Sequence, residues 1–163
     1  MEILSATIVT GAIATLLVDA WALARRHVLG VALPDYGLVG RWFAHLPRGR
    51  WVHDSIKAAP AVRGERGLGW VAHYAIGIAF AAILPLVWGE AWVQQPTLAP
   101  ALAVGLVTVV APFLVLQPAM GAGVAASRTP NPAAARLQSL VTHAVFGLGL
   151  YAGGWLTRAW SVT

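Results

Sequence analysis

The sequence contains two matching stretches, RGLGWVAHYAIGI at residues 66–78 and RLQSLVTHAVFGL at residues 136–148. In each stretch an Arg precedes a His by seven residues, and a Gly follows that His by four residues. Seven residues are close to two turns of an α-helix, so the Arg and the His lie roughly on one helix face. Both stretches open long apolar runs, which indicates that each of them begins a membrane-spanning helix.

The composition is typical of a membrane protein. Of the 163 residues, 58% are hydrophobic and only 10% are charged, whereas a soluble domain carries about 25% charged residues. The chain contains no Cys, which excludes disulfides and thiolate ligands. Ten of the eleven basic residues lie in the segments 25–67 and 119–136. This clustering is typical of a membrane-orientation signal and does not indicate a nucleic-acid partner.

Four apolar runs are long enough to cross a hydrocarbon core of about 30 Å. They cover approximately residues 3–23, 68–88, 98–117 and 137–157. We therefore predict an all-α integral membrane protein, with a single four-helix transmembrane domain over residues 1–163. The basic segments predict both termini on the non-cytoplasmic side of the membrane. The repeated Arg, His and Gly pattern further predicts a pseudo-two-fold repeat of two helical hairpins.

The long segment 25–67 is predicted to lie on the cytoplasmic side, at the membrane surface. Its apolar residues recur at helical spacing, which predicts a short amphipathic helix in the headgroup region; they are Leu38, Val39, Trp42, Phe43 and Leu46. A second short helix is expected over residues 51–59.

The two histidines and one carboxylate are the main candidates for a site. At 1.5 Å per residue, His73, His143 and Asp19 are all predicted to lie roughly 7–9 Å inside the cytoplasmic boundary. Two imidazoles could hold a haem b iron, with Arg66 and Arg136 near the propionates. With Asp19 they could instead bind a divalent metal. The alternative is that each His only hydrogen-bonds across a helix contact.

Asp19 has its own alternatives, since a carboxylate at this depth needs a partner. It could pair with Arg25 or Arg26, or lie beside the histidines as part of a proton relay. Further polar residues are expected near the same level, or in the loop on the same side of the membrane; they are Gln117, Met120, His45, His53 and Glu65.

Three functional hypotheses follow from these patterns. The first is a metal- or haem-binding module built on the paired histidines. The second is a small dimeric, proton-coupled transporter, and the third is a structural or accessory subunit of a larger membrane complex. The lipid bilayer is a partner in all three, and the pattern of residues indicates no type of enzymatic reaction.

Several segments resemble a known family. Residues 40–42 (GRW), 69–77 (GWVAHYAIG), 116–123 (LQPAMGAG) and 142–151 (THAVFGLGLY) are similar to the bacterial membrane family called domain of unknown function 2938. The resemblance covers nearly the whole chain and implies a four-helix bacterial inner-membrane protein. It implies no activity. One departure is Val18, where the resemblance leads us to expect a Met before Asp19.

Overall fold

The computed structural model describes the backbone of residues 2–162 and the side chains of residues 2–160. Over that range the chain is helical and contains no strand. The helices are α1 (Ile3–Leu29), α2 (Tyr36–His45), α3 (Glu65–Ala81), α4 (Ile83–Gln94), α5 (Leu98–Val107), α6 (Gln117–Ala119) and α7 (Pro132–Val162). The predicted amphipathic helix is α2. Residues 51–59 form turns and no second helix.

Three segments are long and apolar enough to cross a membrane: Ile3–Leu29, Leu98–Ala119 and Pro132–Trp160. The remaining apolar run is divided into α3 and α4, which meet at a bend of 57° and satisfy the same criteria only as a pair. Pro85 explains the break, because proline has no N–H and its ring clashes with the carbonyl four residues earlier, that of Ala81. Four spans, and the pseudo-two-fold repeat, stay predictions.

The chain divides into two compact units. Unit 1 comprises Met1–Leu33, Tyr74–Thr108 and Val141–Thr163, and unit 2 comprises Pro34–His73 and Val109–Leu140. The single domain expected from the sequence stays a prediction.

Unit 1 is held together by close helix contacts at small residues. A Cβ placed on Gly149 of α7 would lie 2.7 Å from Ala14 Cα of α1, and one on Gly153 would lie 3.0 Å from the Thr10 carbonyl. Thr10 and Thr157 hydrogen-bond between the same helices, 3.2 Å apart. The buried apolar cluster of this unit contains Ala14, Val18, Ala81, Leu84, Trp92, Ala101, Val104, Phe146 and Leu150. Small residues therefore let the helices approach closely, as is common in membranes.

Unit 2 is organised by the crossing of α2 and the start of α3. A Cβ on Gly40 would overlap the Glu65 carbonyl, and one on Gly69 would overlap the Tyr36 carbonyl, so these helices touch through their backbones. Arg41 secures the crossing with two hydrogen bonds to the Glu65 carboxylate, of 2.7 and 2.8 Å. Its Nη1 also donates to the carbonyls of Ile56, Lys57 and Ala59. The turns at the end of the segment 51–59 are therefore tied to α2 by this guanidinium.

Candidate functional site

His73 lies in an aromatic group within unit 2. Its ring stacks on Tyr36, with centroids 4.0 Å apart and planes inclined by 23°. The edge of Trp70 approaches both rings, at 5.9 Å from His73 and 4.7 Å from Tyr36. The side chain of His73 therefore contacts an aromatic ring from α2, Tyr36, and one from its own helix α3, Trp70.

His143 lies in unit 1, where α5 packs against α7. Its Nδ1 is 3.0 Å from the Gly105 carbonyl oxygen and 3.1 Å from Thr108 Oγ1. Because a carbonyl only accepts, the proton resides on Nδ1 when this bond is made. A hydrogen bond across a helix contact is the packing interpretation considered for this residue.

The contacts of Asp19 and Arg136, the other residues of the predicted inner site, are as follows. Asp19 accepts a hydrogen bond from the Tyr74 hydroxyl, at 3.0 Å. Over residues 2–160 neither Arg25 nor Arg26 forms an ion pair with a carboxylate. Arg136 Nε donates to the Ala125 carbonyl at 2.8 Å.

Gln117, the first residue of α6, and Met120, which follows α6, have structural contacts in unit 2. Gln117 Nε2 lies 3.4 Å from Ser139 Oγ. The carbonyl of Met120 accepts from Ile56 N at 3.1 Å, and its side chain packs against the cluster of Trp42, Ile56 and Ala119.

The loop histidines contact each other. His45 Nδ1 lies 3.0 Å from His53 Nε2, and His45 Nε2 lies 3.2 Å from the Pro60 carbonyl oxygen. In the neutral pair His45 therefore donates from Nε2 and accepts at Nδ1, so His53 donates from Nε2. His53 Nδ1 is buried and has no hydrogen-bond partner among the described residues.

Glu65, the first residue of α3, is the acidic partner of Arg41. Hydrogen bonds from Arg41, and another from Val62 N at 2.8 Å, hold the pKa of the Glu65 carboxyl at about 2, well below 4.5. The carboxylate therefore stays charged at neutral pH.

No group of three or more His, Cys, Asp or Glu side chains suited to a metal ion occurs among residues 2–160. Haem or metal binding by His73 and His143, and metal binding by the other polar residues, stay predictions.

Unit 2 contains a polar cleft. It has a volume of about 380 Å³, and we call it the aromatic cleft; it is lined by Pro34, Asp35, Tyr36, Gly37, Arg66 and Trp70. The loop before α2 supplies its acidic side, since Asp35 Oδ1 caps the helix by accepting from Gly37 N at 3.0 Å. The first turns of α3 supply Arg66 and Trp70.

The cleft combines two opposite charges with an accessible indole. Asp35 and Arg66 are exposed, and 42% of the Trp70 surface is exposed. Asp35 and Arg66 form no ion pair with each other, so their charges do not neutralise each other directly. Arg66 was predicted as a site residue, whereas Asp35 and Tyr36 were not. The sequence Pro34-Asp35 before an apolar helical pattern is the N-cap signal that could have located this edge.

The comparisons with known proteins bear on the family. No curated protein and no solved structure matches the chain. A family model described as "Protein of unknown function (DUF2938)" matches residues 8–157, which confirms the resemblance seen in the sequence. The chain therefore belongs to the DUF2938 family.

Proposed function

We propose that this membrane protein binds the headgroup of a zwitterionic phospholipid in the aromatic cleft. The observation that carries this function is the pairing of Asp35 and Arg66 in one cleft without an ion pair between them. A phosphoethanolamine group has a matching pair of charges, an anionic phosphate and a cationic ammonium.

The two halves of such a headgroup have natural partners in the cleft. The guanidinium of Arg66 suits the phosphate, because it presents several N–H donors in a planar fork. The ammonium suits the Asp35 carboxylate and the exposed face of Trp70, which attracts cations through its ring electrons. Tyr36 supports the Trp70 ring from the side.

The predicted depth of the cleft favours a lipid ligand. Arg66 and Trp70 flank the start of the apolar run at Leu68, so they are expected at the level of the headgroups. Trp residues are enriched at this level of the membrane.

Binding of short-chain lipids to the detergent-purified protein tests this function. The probes are dihexanoyl phosphatidylethanolamine and dihexanoyl phosphatidylglycerol, which share a phosphodiester, while only the former has an ammonium. We expect wild-type protein to prefer the ethanolamine lipid about fivefold, since one exposed charge pair contributes about 1 kcal/mol.

Two variants separate the halves of the site. Arg66→Gln should weaken binding of both lipids about fivefold or more, whereas Asp35→Asn should abolish only the preference, because Asn still caps α2. Arg63→Gln is the matched control, since Arg63 is exposed and does not line the cleft. Equal binding by wild type and Arg66→Gln would exclude this function.

The functions predicted from the sequence remain open beside this one. The metal- or haem-binding module, the dimeric proton-coupled transporter and the accessory subunit stay predictions, as do the bacterial inner membrane and the orientation of the termini.

A further inference from the structure

We propose that Arg25 and Trp21 on α1 bind a phosphate oxyanion. Only 8% of the Arg25 surface is exposed, although the residue is charged. Arg25 Nε and Trp21 Nε1 are both buried, and neither has a hydrogen-bond partner among the described residues. The two residues are one helical turn apart on the same face, with the guanidinium carbon 5.8 Å from the Trp21 ring centroid.

A largely buried Arg whose Nε is enclosed favours a counter-charge. A buried Lys can become neutral by losing a proton and a buried Glu by gaining one, but a guanidinium remains protonated in proteins. No carboxylate among residues 2–160 forms an ion pair with Arg25, and its contact with the Trp21 ring offsets only part of the desolvation. The next residue, Arg26, is exposed and has no such requirement. The missing counter-charge is therefore expected from a bound anion.

The donors define the chemistry of this anion. It must carry negative charge and at least two acceptor oxygens, one for Arg25 Nε and one for Trp21 Nε1, which a phosphate group provides. Arg25 lies two residues beyond the predicted end of the first apolar run at Leu23, where lipid phosphates are expected. The phosphate can therefore belong to a phospholipid or be free in solution. This site shares no residue with the aromatic cleft.

The experiment compares Arg25→Met with its matched control Arg26→Met, which removes a neighbouring exposed charge from the same helix. Each protein is purified in detergent without lipid or phosphate, and thermal unfolding is followed as inorganic phosphate or dihexanoyl phosphatidylglycerol is added. We expect at least one probe to raise the Tm of wild type and Arg26→Met, with at least fivefold weaker half-saturation in Arg25→Met. A response to lipid alone assigns the site to a headgroup, and a response to both probes assigns it to free phosphate as well.

Two results would overturn the assignment: no rise in wild-type Tm with either probe, or an unchanged half-saturation in Arg25→Met. If Arg25→Met does not fold, Trp21→Phe decides, because it keeps an aromatic ring and removes only the N–H donor. Trp21→Phe should weaken the response to the same probe, and an unchanged response would contradict the site.

Discussion

The contact between α5 and α7 predicts that Gly105→Ala destabilises the protein. A Cβ on Gly105 would lie 2.6 Å from Gly147 Cα and 2.6 Å from the His143 carbonyl oxygen. Carbon atoms prefer separations of about 3.5–4.0 Å. The helices would therefore have to separate by roughly 1 Å, because the clashing atoms are backbone and cannot rotate away.

The expected change in the free energy of unfolding combines two destabilising effects and one stabilising effect. Overpacking of this kind costs about 1–3 kcal/mol. Separation also weakens the bond from His143 Nδ1 to the Gly105 carbonyl, which contributes about 1 kcal/mol. The better helix propensity of Ala returns up to about 1 kcal/mol. The free energy of unfolding should thus fall by about 1–3 kcal/mol.

Reversible unfolding by SDS in mixed micelles, followed by far-ultraviolet circular dichroism, measures this difference. Gly67→Ala in α3 is the matched control, because no atom lies within 4 Å of a Cβ at Gly67. That variant should be as stable as wild type or more stable by up to about 1 kcal/mol. The reasoning is refuted if Gly105→Ala is as stable as Gly67→Ala, since the backbone contact would then place no limit on size.

Two further predictions concern other contacts. Leu84→Ala truncates a side chain with no exposed surface and should lower the free energy of unfolding in the same titration by about 2–5 kcal/mol; wild-type stability would contradict its burial. The Arg41–Glu65 pair should make the free energy of unfolding depend on pH, because folding lowers the pKa of Glu65 from 4.5 to about 2. Its contribution is complete above about pH 4.5 and is lost as the pH falls toward 2. Thermal unfolding between pH 7 and 3 measures this dependence, and an equally steep loss in Glu65→Gln would contradict the assignment.

The fold follows from the sequence where local pattern decides it. The spacing of Leu38, Trp42 and Phe43 predicts α2, and three of the apolar runs correspond to candidate spans. The bend between α3 and α4 was not predicted, because a proline in a membrane helix is tolerated when neighbours bind the freed carbonyls. The sequence around Pro85 does not reveal whether such neighbours are present.

The candidate site was harder to predict because its geometry depends on contacts distant in sequence. Arg41 and Glu65 are 24 residues apart, yet their pairing holds α2 against α3. The Asp35 edge of the aromatic cleft therefore lies near Arg66 because α2 packs on α3, a contact that no local spacing specifies. Arg66 was selected from a sequence repeat, and its place in the cleft comes from this long-range contact.

The glycines of the repeated stretches have a physical explanation of their own. A Cβ on Gly77 would overlap the Thr15 side chain of α1, and one on Gly147 would lie 3.0 Å from the Ala101 carbonyl of α5. Both glycines are thus required by close helix contacts, so their recurrence is no evidence for a shared ligand. The haem or metal hypothesis then depends on the histidines alone. It predicts a Soret band or stoichiometric metal that is lost in both His73→Ala and His143→Ala, and a colourless, metal-free preparation with intact helical structure would contradict it.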